Sequence, residues 1–213
     1  MSLSRRSVLC VVAHPDDLEL MAGGAVAAWT QAGDAVHVVT VSDGVWTTPG
    51  GVVMRDPAEA RLEAERAAAC LGYTVENLGC PAMNLRFEDR LVCEILRRVE
   101  ARACDTLVCP WDRDLHHDHE IVSRLAIAAS KRVPRVLMGQ INHHLREPFA
   151  PNVFVDISRT WPLKIEALRC YASEWQRAGA EWSEFLDLTT RYYGKMVGVE
   201  RAEGFVTHKL LLP

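Results

Sequence analysis

The sequence predicts an α/β protein with a Rossmann-like, doubly wound and mostly parallel sheet, extended by a C-terminal helical and strand elaboration. Apolar, β-rich stretches alternate with stretches of helical periodicity from the start of the chain. Several apolar stretches are continuous, which is typical of parallel strands buried on both faces. The 213 residues suit one domain, expected over 1–213, with its core at about 1–145 and the elaboration at about 146–213.

The first elements follow this alternation closely. Residues 7–13 form an uninterrupted apolar run that predicts a strand, and helical spacing over 18–32 stops at Gly33. Residues 36–41 repeat the strand signature. Residues 47–56 contain one proline and two glycines and are expected to form a loop.

The remaining elements continue the pattern and then change its rhythm. Pro57 opens an amphipathic helix over 57–71, which Gly72 closes. The core continues with a strand at 75–78, a helix at 89–101, a strand at 106–109, a helix at 119–130 and a strand at 136–141. The elaboration adds a strand at 153–157, helices at 163–176 and 184–195, and a late strand at 205–211.

Polar residues follow the first and fourth strands. Residues 14–17 read His-Pro-Asp-Asp, and residues 114–119 read Asp-Leu-His-His-Asp-His. In the common strand order 3-2-1-4-5, the first and fourth strands are neighbours where the order reverses, and ligands bind in the crevice there. We therefore expect both clusters to form one pocket.

Composition excludes several classes of function. A net charge of −4 without a run of Lys or Arg argues against nucleic-acid binding. No apolar stretch approaches the length of a membrane-spanning helix, so no integral membrane association and a cytoplasmic location are expected. The seven cysteines are scattered without a Cys-x-x-Cys pair, which predicts reduced thiols. The oligomeric state stays open, with a homo-oligomer as one option.

The two clusters predict metal-assisted hydrolysis. The first turn lacks Gly-x-Gly-x-x-Gly, and its paired carboxylates would repel a pyrophosphate, so a dinucleotide site is a poor interpretation. His14 and Asp17 can bind zinc with one histidine of the second cluster, where the position at a helix start favours His119. One Zn²⁺ per chain is expected, although iron(II) or cobalt would also suit these ligands. Asp16 remains as a general base.

Two further residues of the second cluster complete the predicted machinery. His116 is a candidate acid or oxyanion stabiliser, and Asp118 could orient its ring. Two other functions are alternatives to the hydrolysis of an amide. A metal-dependent phosphoesterase would usually need two metal ions and more carboxylates. A catalytically silent sugar- or nucleotide-binding module would not need ligands, base and acid together.

The chain resembles the LmbE/PIG-L superfamily of zinc-dependent N-acetylglucosaminyl de-N-acetylases. The resemblance rests on Ala-His-Pro-Asp-Asp-x-Glu at 13–19 and Asp-x-His-x-Asp-His at 114–119, and it extends through nearly the whole chain. It implies an LmbE-like deacetylase domain that removes an acetyl group from a small-molecule amino-sugar substrate. It assigns zinc to His14, Asp17 and His119, the base to Asp16, and the oxyanion and leaving amine to His116 held by Asp118.

The substrate pocket is where the chain departs from this family. The family's usual Pro-Asp-Gly reads Pro-Ala-Met at 81–83, a frequent His is Tyr171, and a frequent Gln is Glu174. These departures bear on which sugar is bound. Four residues are candidate substrate contacts. Arg61 matches a family position near the active site, Trp46 and Trp111 could offer aromatic faces to a sugar, and His144 is a polar residue that follows the fifth strand.

Two other features receive a structural interpretation. Trp182 is expected to pack in the core. The adjacent histidines at 143–144 follow the fifth strand, but no carboxylate accompanies them in the sequence, which argues against a second metal site there.

Overall fold

The structure, a computed structural model, describes residues 5–211, so residues 1–4 and 212–213 of the predicted domain lie outside the described range. The strands within it are β1 (Ser7–Val12), β2 (Ala35–Ser42), β3 (Trp46–Thr47), β4 (Val53–Arg55), β5 (Thr74–Cys80), β6 (Thr106–Pro110), β7 (Arg135–Gly139), β8 (Val153–Asp156) and β9 (Ala202–Leu210). The helices are α1 (Asp17–Gln31), α2 (Pro57–Leu71), α3 (Asp89–Ala101), α4 (His117–Ala129), α5 (Trp161–Arg169) and α6 (Ala172–Val197).

The described residues form a main sheet in the order β5-β2-β1-β6-β7-β9-β8. The strands from β5 to β7 are parallel, whereas β9 is antiparallel to both of its neighbours. The five parallel strands are the first five predicted strands in the order third, second, first, fourth, fifth. The predicted fold class and strand order are therefore confirmed, and the order reverses between β1 and β6.

Helices cover both faces of this sheet and explain the continuous apolar run of β1. Val8, Cys10 and Val12 pack into the core under α1, α2, α5 and α6. Leu9 and Val11 pack into the opposite core under α3 and α4. Because side chains on both faces of β1 are buried, its sequence is apolar from Val8 to Val12 and does not alternate with polar residues.

Helix α1 packs closely, through a glycine, on the residue that follows β8. A Cβ added at Gly24 would lie 2.8 Å from Cβ of Ile157. We expect Gly24→Ala to destabilise the fold by about 1–3 kcal/mol, because the packed neighbour would have to move. A thermal melt would show a lower Tm, with Gly50→Ala as the control because a Cβ there would meet only Thr48 Oγ1, at an ordinary contact distance of 3.8 Å. An unchanged Tm for Gly24→Ala would contradict this packing.

The predicted loop at 47–56 is wrong in part, because it contains most of a small hairpin. Strands β3 and β4 pair antiparallel, with Trp46 opposite Arg55 and a turn that places Gly51 at a φ of 83°. Two- and three-residue strands leave too short a pattern to detect from sequence. The hairpin presents Trp46 and Arg55 side by side at the carboxyl end of the sheet.

The predicted helices 163–176 and 184–195 are also corrected. The first is broken between α5 and α6 at Cys170 and Tyr171, where the fully buried Tyr171 turns inward to bond a backbone carbonyl. The second is part of the single helix α6, which continues through Gly179. A Cβ at Gly179 would lie 2.7 Å from the ring of Trp175, so this glycine marks a close side-chain contact within the helix.

None of the helices among residues 5–211 combines the length and apolar character that crossing a membrane requires.

Candidate active site

The turns after β1 and β6 bring the two polar clusters together, as predicted. The first turn folds around Asp17, whose Oδ2 accepts hydrogen bonds from the backbone N–H groups of Ala13 (3.1 Å) and His14 (2.8 Å). In the second turn His116 and His119 stack with ring centroids 4.4 Å apart. The centroid of the His14 ring lies 5.3 Å from that of His119. One imidazole-rich pocket therefore spans the point where the strand order reverses.

The carboxylate of Asp17 lies between two imidazoles. Its Oδ1 is 3.2 Å from Nε2 of His119, and its Oδ2 is 3.5 Å from Nδ1 of His14. Two ligand atoms, each about 2.0–2.1 Å from a tetrahedral zinc ion, are about 3.3 Å apart. The three side chains therefore fit one divalent ion, and the third histidine, His116, has a ring nitrogen within 4.8 Å of those of His14 and His119.

Each of these two imidazoles is held from behind by a carboxylate. His14 Nε2 contacts Asp118 Oδ2 at 3.1 Å, and His119 Nδ1 contacts Asp114 Oδ2 at 2.9 Å. Such carboxylate–histidine pairs fix the ring orientation and raise ligand basicity in metal sites. Asn142 Nδ2 in turn donates to Asp114 Oδ2 at 3.2 Å.

The predicted contact between the carboxylate of Asp118 and His116 is therefore corrected. The Asp118 carboxylate is turned towards His14 and the backbone N–H groups of Met83 (2.7 Å) and Leu85 (3.2 Å). Asp118 still orients His116, but through its backbone N–H, which donates to His116 Nδ1 at 3.2 Å. This bond leaves the proton of a neutral His116 on Nε2.

The electrostatics of the pocket favour positive charge between these groups. Burial alone lowers the pKa of His14 and of His119, but the carboxylate of Asp17, aided by Asp118 and Asp114 respectively, outweighs it and raises these pKa values to about 10 and about 9. Burial raises the pKa of Asp17, yet the two imidazoles hold it well below its usual range. A divalent cation would supply the same positive charge that the ring protons supply.

Asp16 and His116 differ from the three ligand candidates. Burial raises the pKa of Asp16, while the guanidinium of Arg55, 3.5 Å from its Oδ2, opposes that shift. Burial lowers the pKa of His116 to about 4, with help from the positive charges of His119 and His14. The site thus offers a carboxylate that can accept a proton and a neutral imidazole that can donate a hydrogen bond.

A hydrogen-bonded chain supports the first turn from inside the protein. Tyr171 Oη donates to the carbonyl of Pro15 at 2.6 Å and lies 3.1 Å from Glu19 Oε2. Tyr73 Oη donates to Glu19 Oε1 at 2.6 Å. Burial raises the pKa of Glu19 to about 8. Gly44 also packs on this turn, since a Cβ there would lie 2.8 Å from the ring of Pro15.

An open cleft of about 310 Å³ leads from the imidazoles to a mixed wall. The wall is formed by the hairpin, the loop after β7 and helix α6: Trp46, Arg55, Asn142, Glu174, Arg177 and Trp182. Arg55 is 4% exposed, and its Nη1 has no hydrogen-bond partner among the described residues. The nearest carboxylate oxygens to that Nη1, on Asp16, Glu63 and Glu174, are 3.5 to 4.0 Å away.

The structure brings one of the four predicted substrate contacts into this cleft. Trp46 lines it, with the guanidinium of Arg177 5.2 Å from its ring. Trp111 is buried against Phe149 and is a packing residue. Arg61 projects from the exposed face of α2 beside Glu65, and His144 is exposed beside His143. The last three assignments are corrected, since these side chains lie outside the cleft lining.

Sequence reasoning missed Arg55, Asn142 and Arg177 in the wall and gave Trp182 another role. Arg55 and Arg177 carried no signal, because charged residues in a loop and on a helix are usually solvated. Trp182, expected in the core, lines the cleft instead. Glu174, which departs from the family in the region expected to shape the substrate pocket, lines this cleft.

Known proteins resemble this chain in sequence and in fold. Residues 9–130 match the family described as PIG-L, GlcNAc-PI de-N-acetylase. Diacetylchitobiose deacetylase of Thermococcus kodakarensis is 30% identical over 218 residues, covering 93% of this chain and 82% of that protein. 4-Oxalmesaconate hydratase of Pseudomonas putida is 28% identical over 200 residues, covering 82% and 76%. The crystal structure of the conserved protein TT1542 from Thermus thermophilus superimposes with a TM-score of 0.83 at 27% identity, covering 97% and 96%. The chain therefore belongs to the PIG-L (LmbE) family of metal-dependent deacetylases.

Proposed function

We propose that this protein hydrolyses the acetamide of an N-acetylated amino sugar, using one zinc ion bound by His14, Asp17 and His119. One observation carries the proposal: Asp17 lies between two imidazoles that are each backed by a carboxylate, and all three side chains line an open cleft. The family and the deacetylase from Thermococcus kodakarensis support the same chemistry.

In the proposed mechanism, the residues of the site divide the proton transfers between them. Zinc, when bound, polarises an acyl oxygen and lowers the pKa of a water molecule towards ~7. Asp16 accepts the proton of the attacking water. The Nε2–H group of His116 donates a hydrogen bond to the developing oxyanion, and the proton that Asp16 has taken from the water passes to the nitrogen of the leaving amine as the C–N bond breaks. The products are acetate and a free amino sugar.

The cleft wall supports an uncharged sugar as the substrate. Trp46 and Trp182 offer apolar faces, while Arg55 and Glu174 offer a donor and an acceptor for hydroxyl groups. The two guanidinium groups of the wall, on Arg55 and Arg177, are opposed by two carboxylates: Arg55 lies near Asp16 and Glu174, and Arg177 pairs with Glu174. The wall thus lacks the excess positive charge that a phosphate or diphosphate group would require.

Amine release from a panel of N-acetyl sugars, with and without a chelator, tests this proposal. The panel compares free mono- and disaccharides with sugar phosphates and nucleotide sugars. We expect chelator-sensitive release from the uncharged sugars and recovery when zinc is added back. Metal content should be one equivalent, whereas two equivalents with phosphate release would favour a phosphoesterase. Because one relative is named a hydratase, hydration of an unsaturated acid without any amine release would also refute the proposal.

Glu174→Gln tests the charge argument. Glu174 is 4% exposed and lines the cleft, so removing its charge makes the wall more positive. We expect the ratio of kcat/KM for a sugar phosphate to kcat/KM for the uncharged sugar to rise about tenfold, which corresponds to about 1.4 kcal/mol. The exposed Glu65→Gln on α2 is the control. An unchanged ratio would show that this wall does not select against anions.

A further inference from the structure

The fold assembles a second cluster of side chains that could hold a metal ion, on two segments that also contribute to the cleft wall. His143 and His144, in the loop after β7, meet Glu181 from α6, and one ligand atom of each lies within 4.8 Å of the others. His143 Nε2 is 3.8 Å from Glu181 Oε1, and the two imidazole centroids are 4.2 Å apart. The sequence shows no carboxylate next to this histidine pair. The fold supplies one, Glu181, from a helix that is distant in the chain.

From this juxtaposition, we propose that His143, His144 and Glu181 form a second site for a divalent transition metal such as zinc. Imidazole nitrogen and carboxylate oxygen are ligands that zinc accepts, and water can complete the coordination. The backbone of the loop is fixed, because His144 N–H donates to Asn142 Oδ1 (2.6 Å) and Leu115 N–H donates to the His144 carbonyl (3.0 Å). The exposed side chains remain free to turn and close on an ion.

This cluster differs from the buried one in how its ligands are supported. The side chains of His143 and Glu181 are 48% and 67% exposed, whereas those of His119 and Asp17 are 5% and 3% exposed. The carboxylates that orient His14 and His119 have no counterpart among the contacts described for His143 and His144. Since such support raises metal affinity, the outer site binds metal more weakly and is filled only when metal is in excess.

An ion in the outer site would join two walls of the cleft. Asn142 and Trp182, which line the cleft, are the chain neighbours of His143 and Glu181. Bridging the loop to α6 would restrict the movement of the two wall segments that carry Asn142 and Trp182. This consequence rests on the proposed function. Excess zinc, bound at the outer site, would hinder the entry of the sugar and so inhibit its deacetylation.

Zinc titration of the protein carrying one metal ion tests the site without any assay of activity. By calorimetry, we expect the wild type to take up one further equivalent of zinc, and His143→Ala/His144→Ala and Glu181→Gln to lose it. The controls His208→Ala, an exposed histidine on β9, and Glu184→Gln, an exposed glutamate on α6, should keep it. Uptake by the double variant equal to that of the wild type would overturn the proposal.

Two further measurements separate this inference from the proposed function. Asp16→Asn should still bind the further equivalent, because the outer site does not use Asp16. If amine release is found, Glu181→Gln should need at least about tenfold more added zinc than the wild type for half inhibition. Equal inhibition of both proteins would refute the gating role. If no sugar is deacetylated, the binding result alone still decides whether the outer site exists.

Discussion

Asp16→Asn is expected to lower kcat by about 100- to 10,000-fold while the protein keeps its metal ion, the range that a general base contributes to catalysis. Asp16 is buried and lines the cleft, and none of the contacts that place Asp17 between the two imidazoles involves it. The amide is nearly isosteric with the carboxylate but cannot take up a proton at neutral pH. Turnover should therefore fall without loss of the pocket.

The measurement combines kcat for the best sugar of the panel with metal content by elemental analysis. Asp89→Asn, at the exposed start of α3, is the control for a lost carboxylate. His119→Ala gives the contrast, since we expect it to lose both metal and turnover. Near-normal kcat in Asp16→Asn would show that another group is the base.

Glu203→Ala is expected to reduce the free energy of unfolding by about 3–5 kcal/mol, because it would leave a buried ammonium group without its partner. Lys164 is 1% exposed, and its Nζ donates to Glu203 and to the carbonyl of Leu20. Glu203 also accepts from the backbone N–H groups of Gly24 (3.0 Å) and Ala25 (2.7 Å). One carboxylate thus connects α1, α5 and β9.

Denaturant unfolding of three variants separates the charge from the packing. Lys164→Met removes the ammonium group, and the double variant Lys164→Met/Glu203→Gln removes both charges while keeping volume. We expect the double variant to lose less stability than Glu203→Ala. Arg191→Met, which removes an exposed cation near Asp187, is the surface control and should change stability by less than about 1 kcal/mol. A similarly small change in Glu203→Ala would contradict the structural role of the pair.

The order of the parallel strands could be predicted because it depends on repeated local patterns and a general rule of chain reversal. The same rule indicated that residues 14–17 and 114–119 meet, since parallel strands end at one edge of the sheet. It could not show which nitrogen each carboxylate contacts. The carboxylate of Asp118 contacts His14, whereas the sequence predicted a contact with His116. That choice depends on a few ångströms of backbone geometry, for which the spacing of residues gives no signal.

Most of the cleft wall and the meeting of the outer histidines with Glu181 were not predictable, for a different reason. Arg55 is placed in the cleft by a hairpin whose strands are too short to show a periodicity. Trp182 lies on α6 and faces the cleft, although the sequence analysis expected it in the core. Glu181 meets His143 only because α6 runs past the loop after β7. Contacts between elements far apart in the chain leave no local pattern, so they appear only when the fold is known.

The position of β9 also bears on how the chain reaches this fold during synthesis. β9 follows β8 in the chain but lies between β7 and β8 in the sheet. When the ribosome has produced β8, the strand that will attach it to β7 does not yet exist. The nascent chain therefore carries an open edge on β7 and an unattached β8 until residues 202–210 have emerged, and such exposed edges invite pairing with other chains.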